Sequence, residues 1–76
     1  MGASLRGVDA TGSIWEKATL DRAVFAGANL KEANLSRANA LGASFAKASL
    51  GGANLQRLTG DGADFRGAHL EGADLR

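Results

Sequence analysis

Apolar side chains recur along this chain with a period of five. From Ala3 onward most units start with a small residue, place a polar one second and a large apolar one third, and end in two polar, charged or glycine positions. Ala holds the first place in 12 of 15 units and Leu or Phe the third in 11, so the period is strict enough to dictate geometry. A helix is excluded: at about 100° per residue, five residues advance the third position by about 140°, and the Leu side chains would spiral onto every face. A long strand is excluded because its side chains alternate with period two, so an odd repeat would send successive Leu residues to opposite faces. What remains is a very short extended segment, small-in, polar-out, large-in, followed by a two-residue corner. The fifth position is always Gly or a charged residue, and Gly there suits a turn that needs positive φ.

Four such corners close a square coil of about 20 residues, which stacks on the next at strand spacing, roughly 4.8 Å. Phe25, Phe45 and Phe65 are the only phenylalanines, and they lie 20 apart. Shuffled among the third positions they would share a face roughly once in thirty arrangements. Stacked rings on one wall are expected, with Leu5 continuing the column. The other third positions sort into Ala10, Leu30, Leu50, Leu70; Trp15, Leu35, Leu55, Leu75; and Leu20, Ala40, Gly60.

Units such as ANLKE (28–32), ANLSR (33–37), ANLQR (53–57) and ADFRG (63–67) resemble the pentapeptide-repeat family, whose pattern is A(D/N)LXX. The resemblance covers nearly the whole chain. It implies an all-β solenoid: a right-handed quadrilateral β-helix, here of roughly four 20-residue coils, with a narrow, solid core. The hand comes from the resemblance and not from the spacing. The reading is one domain over 1–76, with an irregular N-terminal coil over 1–17 (Val8, Ala10, Ser13, Ile14 and Trp15 depart from the commonest choices) and regular repeats over 18–76. Atypical end units are expected in solenoids.

The fourth face departs most. Its third positions shrink from Leu20 to Ala40 to Gly60, Leu58 replaces the usual Ala, and Leu41 stands at a corner that should face water. Either Leu58 fills the space Gly60 leaves, or a local bulge presents Leu41 as a contact point. The second-position Asn34 and Asn54 lie one coil apart and are expected to form an amide ladder.

Composition narrows the chemistry. At 76 residues with no Cys and one histidine, His69, the chain has no means for disulfide or zinc stapling. Net charge is +1 with the charges scattered, which is neither an acidic nor a basic tail. The N-terminus lacks a signal-peptide run, Arg6 spoils a myristoylation motif, and no stretch could span a membrane, so a cytoplasmic location is expected. His69 and the carboxylates fall at outward or corner positions with no cleft between them, so no catalytic residue, cofactor or metal is expected. Gly51-Gly52 and Gly60-Asp61-Gly62 precede no helix and do not suit phosphate.

The expectation is a non-catalytic scaffold for protein–protein contact, with an unknown protein partner. The candidate contact residues are Lys17, Arg37 and Arg57, which 20-residue spacing places on one edge, together with Leu41 and Leu75. The regular pattern reaching Arg76 suggests a coil end open to an end-to-end homodimer, or else a longer native chain whose next coil would cover it. Nucleic acid is not the expected partner, since no aromatic residues interleave the basic ones. The alternative implied by the resemblance is a DNA-mimic regulator of a type II topoisomerase, DNA gyrase. Near-neutral charge argues against it.

Overall fold

A computed structural model describes residues 4–75. Its third-position N–H groups at Phe25, Leu30, Leu35 and Ala40 donate to carbonyls 19 residues further on at 2.7–2.8 Å. Each extended segment thus makes a single parallel bridge to the segment 20 residues away, and the segments are too short to form longer strands. The bridges define four faces: Ser4–Val24–Ser44–Asp64, Asp9–Asn29–Ser49–His69, Ile14–Asn34–Asn54–Asp74, and Thr19–Asn39–Thr59. The architecture is a four-faced β-helix solenoid. The first units share it, because Ser4, Asp9 and Ile14 bridge as the others do; the irregularity of the N-terminal coil lies in its side chains.

The corners explain the fifth position. All fourteen fifth positions from Gly7 to Gly72 have positive φ, between 57° and 73°, and six of them carry Lys, Arg or Glu. Each corner closes with a bond from the next first-position N–H to the preceding third-position carbonyl, as in Ala28 N–H to Phe25 O at 2.9 Å. An L side chain in this region costs about 1–2 kcal/mol. At Gly27, φ is +69° and a Cβ would meet nothing within 4 Å. Gly27→Ala should therefore lower unfolding free energy by about 1 kcal/mol through backbone strain alone, measured by denaturant titration. An unchanged midpoint would contradict that account.

The backbone donors can be followed through the repeat. The first-position N–H closes the corner, the second reaches the previous coil, and the third and fifth reach the next. The fourth has no backbone acceptor, and in units such as those of Asn29, Asn34, Asn54 and Asp64 the second-position side chain supplies one. Ser36 N–H donates to Asn34 Oδ1 at 3.0 Å, Gln56 to Asn54 at 3.1 Å, Lys31 to Asn29 at 3.2 Å and Arg66 to Asp64 at 2.9 Å. This corrects the expected amide ladder: the Asn34 and Asn54 oxygens serve their own corners. An Asx-type cap satisfies a donor that stacking leaves over. Asn34→Ala should cost about 1 kcal/mol, as loss of a cap does, and Asn34→Asp should retain most of it. Equal losses in the two variants would overturn the cap.

Inside, every first and third position from Leu20 to Leu55 is buried, and no polar residue is buried among the described residues. Ala alternates with Leu or Phe, so each layer pairs a small side chain with a large one. Phe25 and Phe45 stack with centroids 5.2 Å apart and planes 2° apart, and Phe45 and Phe65 at 5.0 Å and 5°. Trp15 presses its edge on Phe25 at 5.5 Å and 82°. Ser13 replaces Ala beside it because its hydroxyl has two tasks: it accepts from Trp15 Nε1 and donates to the Ala10 carbonyl, both at 2.6 Å.

On the fourth face the stacking is unbroken. Ala40 N–H reaches Thr59 O at 2.8 Å, Thr59 N–H reaches Ala38 O at 3.0 Å, and Gly42 N–H reaches Asp61 O at 2.9 Å. The bulge is therefore corrected: the 20-residue register holds. Leu58 Cδ2 lies 3.4 Å from where a Gly60 Cβ would be, so Leu58 fills that space.

Candidate functional site

The interior leaves no room for a site, and among the described residues no three His, Cys, Asp or Glu side chains group as metal ligands. Whatever recognises a partner stands on the outside, in columns whose pitch is one coil. The corner column Lys17, Arg37, Arg57 is real: Lys17 N–H donates to Ser36 O at 3.0 Å and Arg37 N–H to Gln56 O at 2.8 Å, which stacks the three corners. All three side chains are exposed and make no ion pair. Glu16, Ser36 and Gln56 occupy the fourth positions just before them.

Arg66, by contrast, is committed. Arg66 grips Asp64 through Nε at 3.0 Å and Nη2 at 2.9 Å. The guanidinium, then the Arg66 N–H, hold the Asp64 carboxyl down at about 2, and the same bond raises Arg66. Asp9 is lowered by the Thr11 hydroxyl and N–H in the same way. These are corners fastening themselves.

Leu41 is 48% exposed at the corner after the fourth face, in the column Asp21–Leu41–Asp61. Four of the five candidate residues therefore border one face: cations along one side, Leu41 on the other. Leu75, 64% exposed, belongs to the third face in the last coil and stands apart. Arg76 lies outside the described residues. Between the two borders run Thr19, Asn39 and Thr59, all exposed.

Asn39 breaks the rule of the corners, a point that the five-residue pattern does not signal. Asp21 Oδ1, from the previous coil, takes the Leu41 N–H at 3.4 Å, and the Asn39 amide bonds to nothing in the molecule. Ile14, 78% exposed on the third face, also escaped notice as an outward apolar residue; an Ile in a second position was its signal.

A sequence profile for pentapeptide repeats matches residues 3–39 and 41–76 in eight copies. The chain belongs to the pentapeptide repeat family. The break in the match falls at Ala40, on the divergent fourth face. No characterised protein matched in the search among them. Among solved structures, this pentapeptide repeat chain is similar to HetL, involved in heterocyst differentiation regulation in the cyanobacterium Nostoc, with 31% identity and a TM-score of 0.50 over 93% of this chain and 38% of HetL. A thylakoid-lumen pentapeptide repeat protein of Arabidopsis thaliana aligns at 27% identity and TM-score 0.39 over 95% of this chain and 60% of its own. One from the cyanobacterium Cyanothece aligns at 18% and 0.31 over 97% and 84%. The chain spans less than two thirds of the first two. No helix among the described residues is long and apolar enough to cross a membrane.

Proposed function

We propose that this pentapeptide repeat chain is a non-catalytic, cytoplasmic scaffold that makes protein–protein contact through the outer faces of a right-handed quadrilateral β-helix. The carrying observation is the filled interior: from Leu20 to Leu55 side chains close the coil completely, and polar groups stand only outside. Acid–base or nucleophilic work needs convergent groups around a reacting atom, whereas a rigid exterior with fixed columns suits recognition. The involvement of HetL, a longer protein, in heterocyst differentiation regulation is in keeping with a contact module. The test places a photo-crosslinking residue in turn at Ser44, Ser49, Asn54 and Asn39, one on each face, in the cell of origin. Protein adducts at one face and not the others support the reading; none at any face overturns it. Topoisomerase mimicry is disfavoured by the net charge of +1 and the unpaired cation column, and inhibition of gyrase supercoiling by the added protein would restore it.

A second contact is proposed at the last coil, as an end-to-end homodimer. Phe65 and Leu70 are half-covered and Leu75 is exposed, although Phe45 and Leu50 one coil earlier are fully buried. Sedimentation over a dilution series should show association that weakens with dilution and is lost in Leu75→Lys. A strict monomer at every concentration would remove this contact.

A further inference from the structure

The fourth face differs from the other three in four ways at once. Its third positions are the smallest, Leu20, Ala40 and Gly60. Its asparagine is released from corner duty by Asp21. One border carries three unpaired cations, and the other carries an exposed Leu. Leu41 follows Arg37 by four residues in the same coil, so the apolar spot stands level with the middle cation on the opposite border.

Resting on the protein-contact reading above, we infer that the fourth face docks an acidic α-helix of a protein partner, laid along the stacking axis, with carboxylates on Lys17, Arg37 and Arg57 and an apolar side chain on Leu41. The pitch selects a helix. Successive coils are separated by 5.0–5.2 Å at the Phe stack. A helix repeats one face about every 5.4 Å, so acidic residues at i, i+3 or i+4, and i+7 keep step with three cations. An extended strand repeats one side about every 6.6 Å and falls out of step by the third. Width agrees as well: a helix with its side chains is about 10–12 Å across, enough to cover a three-residue segment and touch both borders. Thr19, Asn39 and Thr59 lie beneath it with hydroxyl and amide groups free to bond its polar side chains.

The far border sets the partner class. Asp21 and Asp61 flank Leu41 four residues from the cations, up to about 13 Å across the face, and on this border only Arg22 is basic. A duplex or an anionic bilayer, negative across its whole footprint, would lie on these two carboxylates as well as on the cations and be repelled on that side. A helix carries acid on one stripe only. Single-stranded nucleic acid would want exposed aromatic platforms, and Trp15 is half-buried with its ring N–H committed to Ser13. Glu16 dilutes Lys17, so Arg37 and Arg57, preceded by Ser36 and Gln56, carry most of the attraction.

The probe is a labelled peptide of about 18 residues, long enough for helix, with Glu at i, i+3, i+7 spacing and one flanking Leu. Controls are the same residues scrambled around the helix, single- and double-stranded DNA, and phosphatidylserine vesicles. Fluorescence anisotropy should show the striped peptide binding most tightly. Arg37→Glu with Arg57→Glu should weaken it about tenfold, and Glu is compatible with these corners, since Glu32 already sits at φ 59°. A Lys-striped peptide should bind that double variant better than wild type, which separates recognition from misfolding. Leu41→Ala should weaken binding about threefold. Equal binding of the scrambled peptide, tighter binding of DNA or vesicles, or indifference to the double variant overturns the inference. Crosslinks from Ser44, Ser49 or Asn54 with none from Asn39 would overturn it and leave the contact module standing; none anywhere would overturn both.

Discussion

Phe45→Ala is expected to lower the unfolding free energy by about 3–5 kcal/mol, the range for a buried Phe replaced by Ala. The upper part of that range applies for a structural reason. Phe45 is fully buried and lies between two rings, 5.2 Å from Phe25 and 5.0 Å from Phe65. Truncation removes both ring contacts together with the hydrophobic burial. The space cannot close, because the wall is pinned by Phe25 N–H to Ser44 O and Phe45 N–H to Asp64 O, both 2.7 Å. Small domains are stable by about 5–15 kcal/mol, so the loss is a large share. Phe65→Ala, half-buried with one ring neighbour, should cost about half as much by the same reasoning. Denaturant titration of the two variants tests the column: equal losses, or a Phe45→Ala loss under about 1 kcal/mol, would contradict it.

What the sequence discloses and what it hides follow from symmetry. The five-residue and 20-residue periods are written many times, so the faces, the corners, the Phe column and the Lys17–Arg37–Arg57 column could all be read from spacing. Features that depend on a choice between neighbouring side chains could not. Asn34 stands one coil from Asn54, which suggests a ladder, yet the unmatched fourth-position N–H lies nearer and takes the oxygen. Asn39 has the same place in its unit, but Asp21 from the coil before reaches that N–H first. Ser13 looks like a departure from Ala until the Trp15 indole is seen to need its hydroxyl. Leu41 and the cations were each legible as exposed; that they border one face needed the corner order, and that the face holds a free Asn needed the hydrogen bonds.

Leu58 and Gly60 supply the second large effect, as a coupled pair. Leu58→Ala alone should cost about 2 kcal/mol, at the low end for a core Leu because the residue is half-buried. Gly60→Leu alone should also destabilise, by about 1–3 kcal/mol, since its first carbon would already stand 3.4 Å from Leu58 Cδ2 and the rest would overpack. Backbone geometry is no obstacle, because Gly60 is not among the positive-φ glycines. Made together, the two substitutions rebuild the order seen two coils earlier in Ala18-Thr19-Leu20, where Leu20 is buried. The double variant should return to within about 1 kcal/mol of the parent, a coupling at the upper end of that found for residues in contact. Additive losses would mean that Leu58 does not occupy the missing Leu's place. Thr59 keeps its outward position throughout, so the double variant should bind the striped peptide as the parent does. Restored stability with altered binding would show that the inner packing of this face shapes its outer surface.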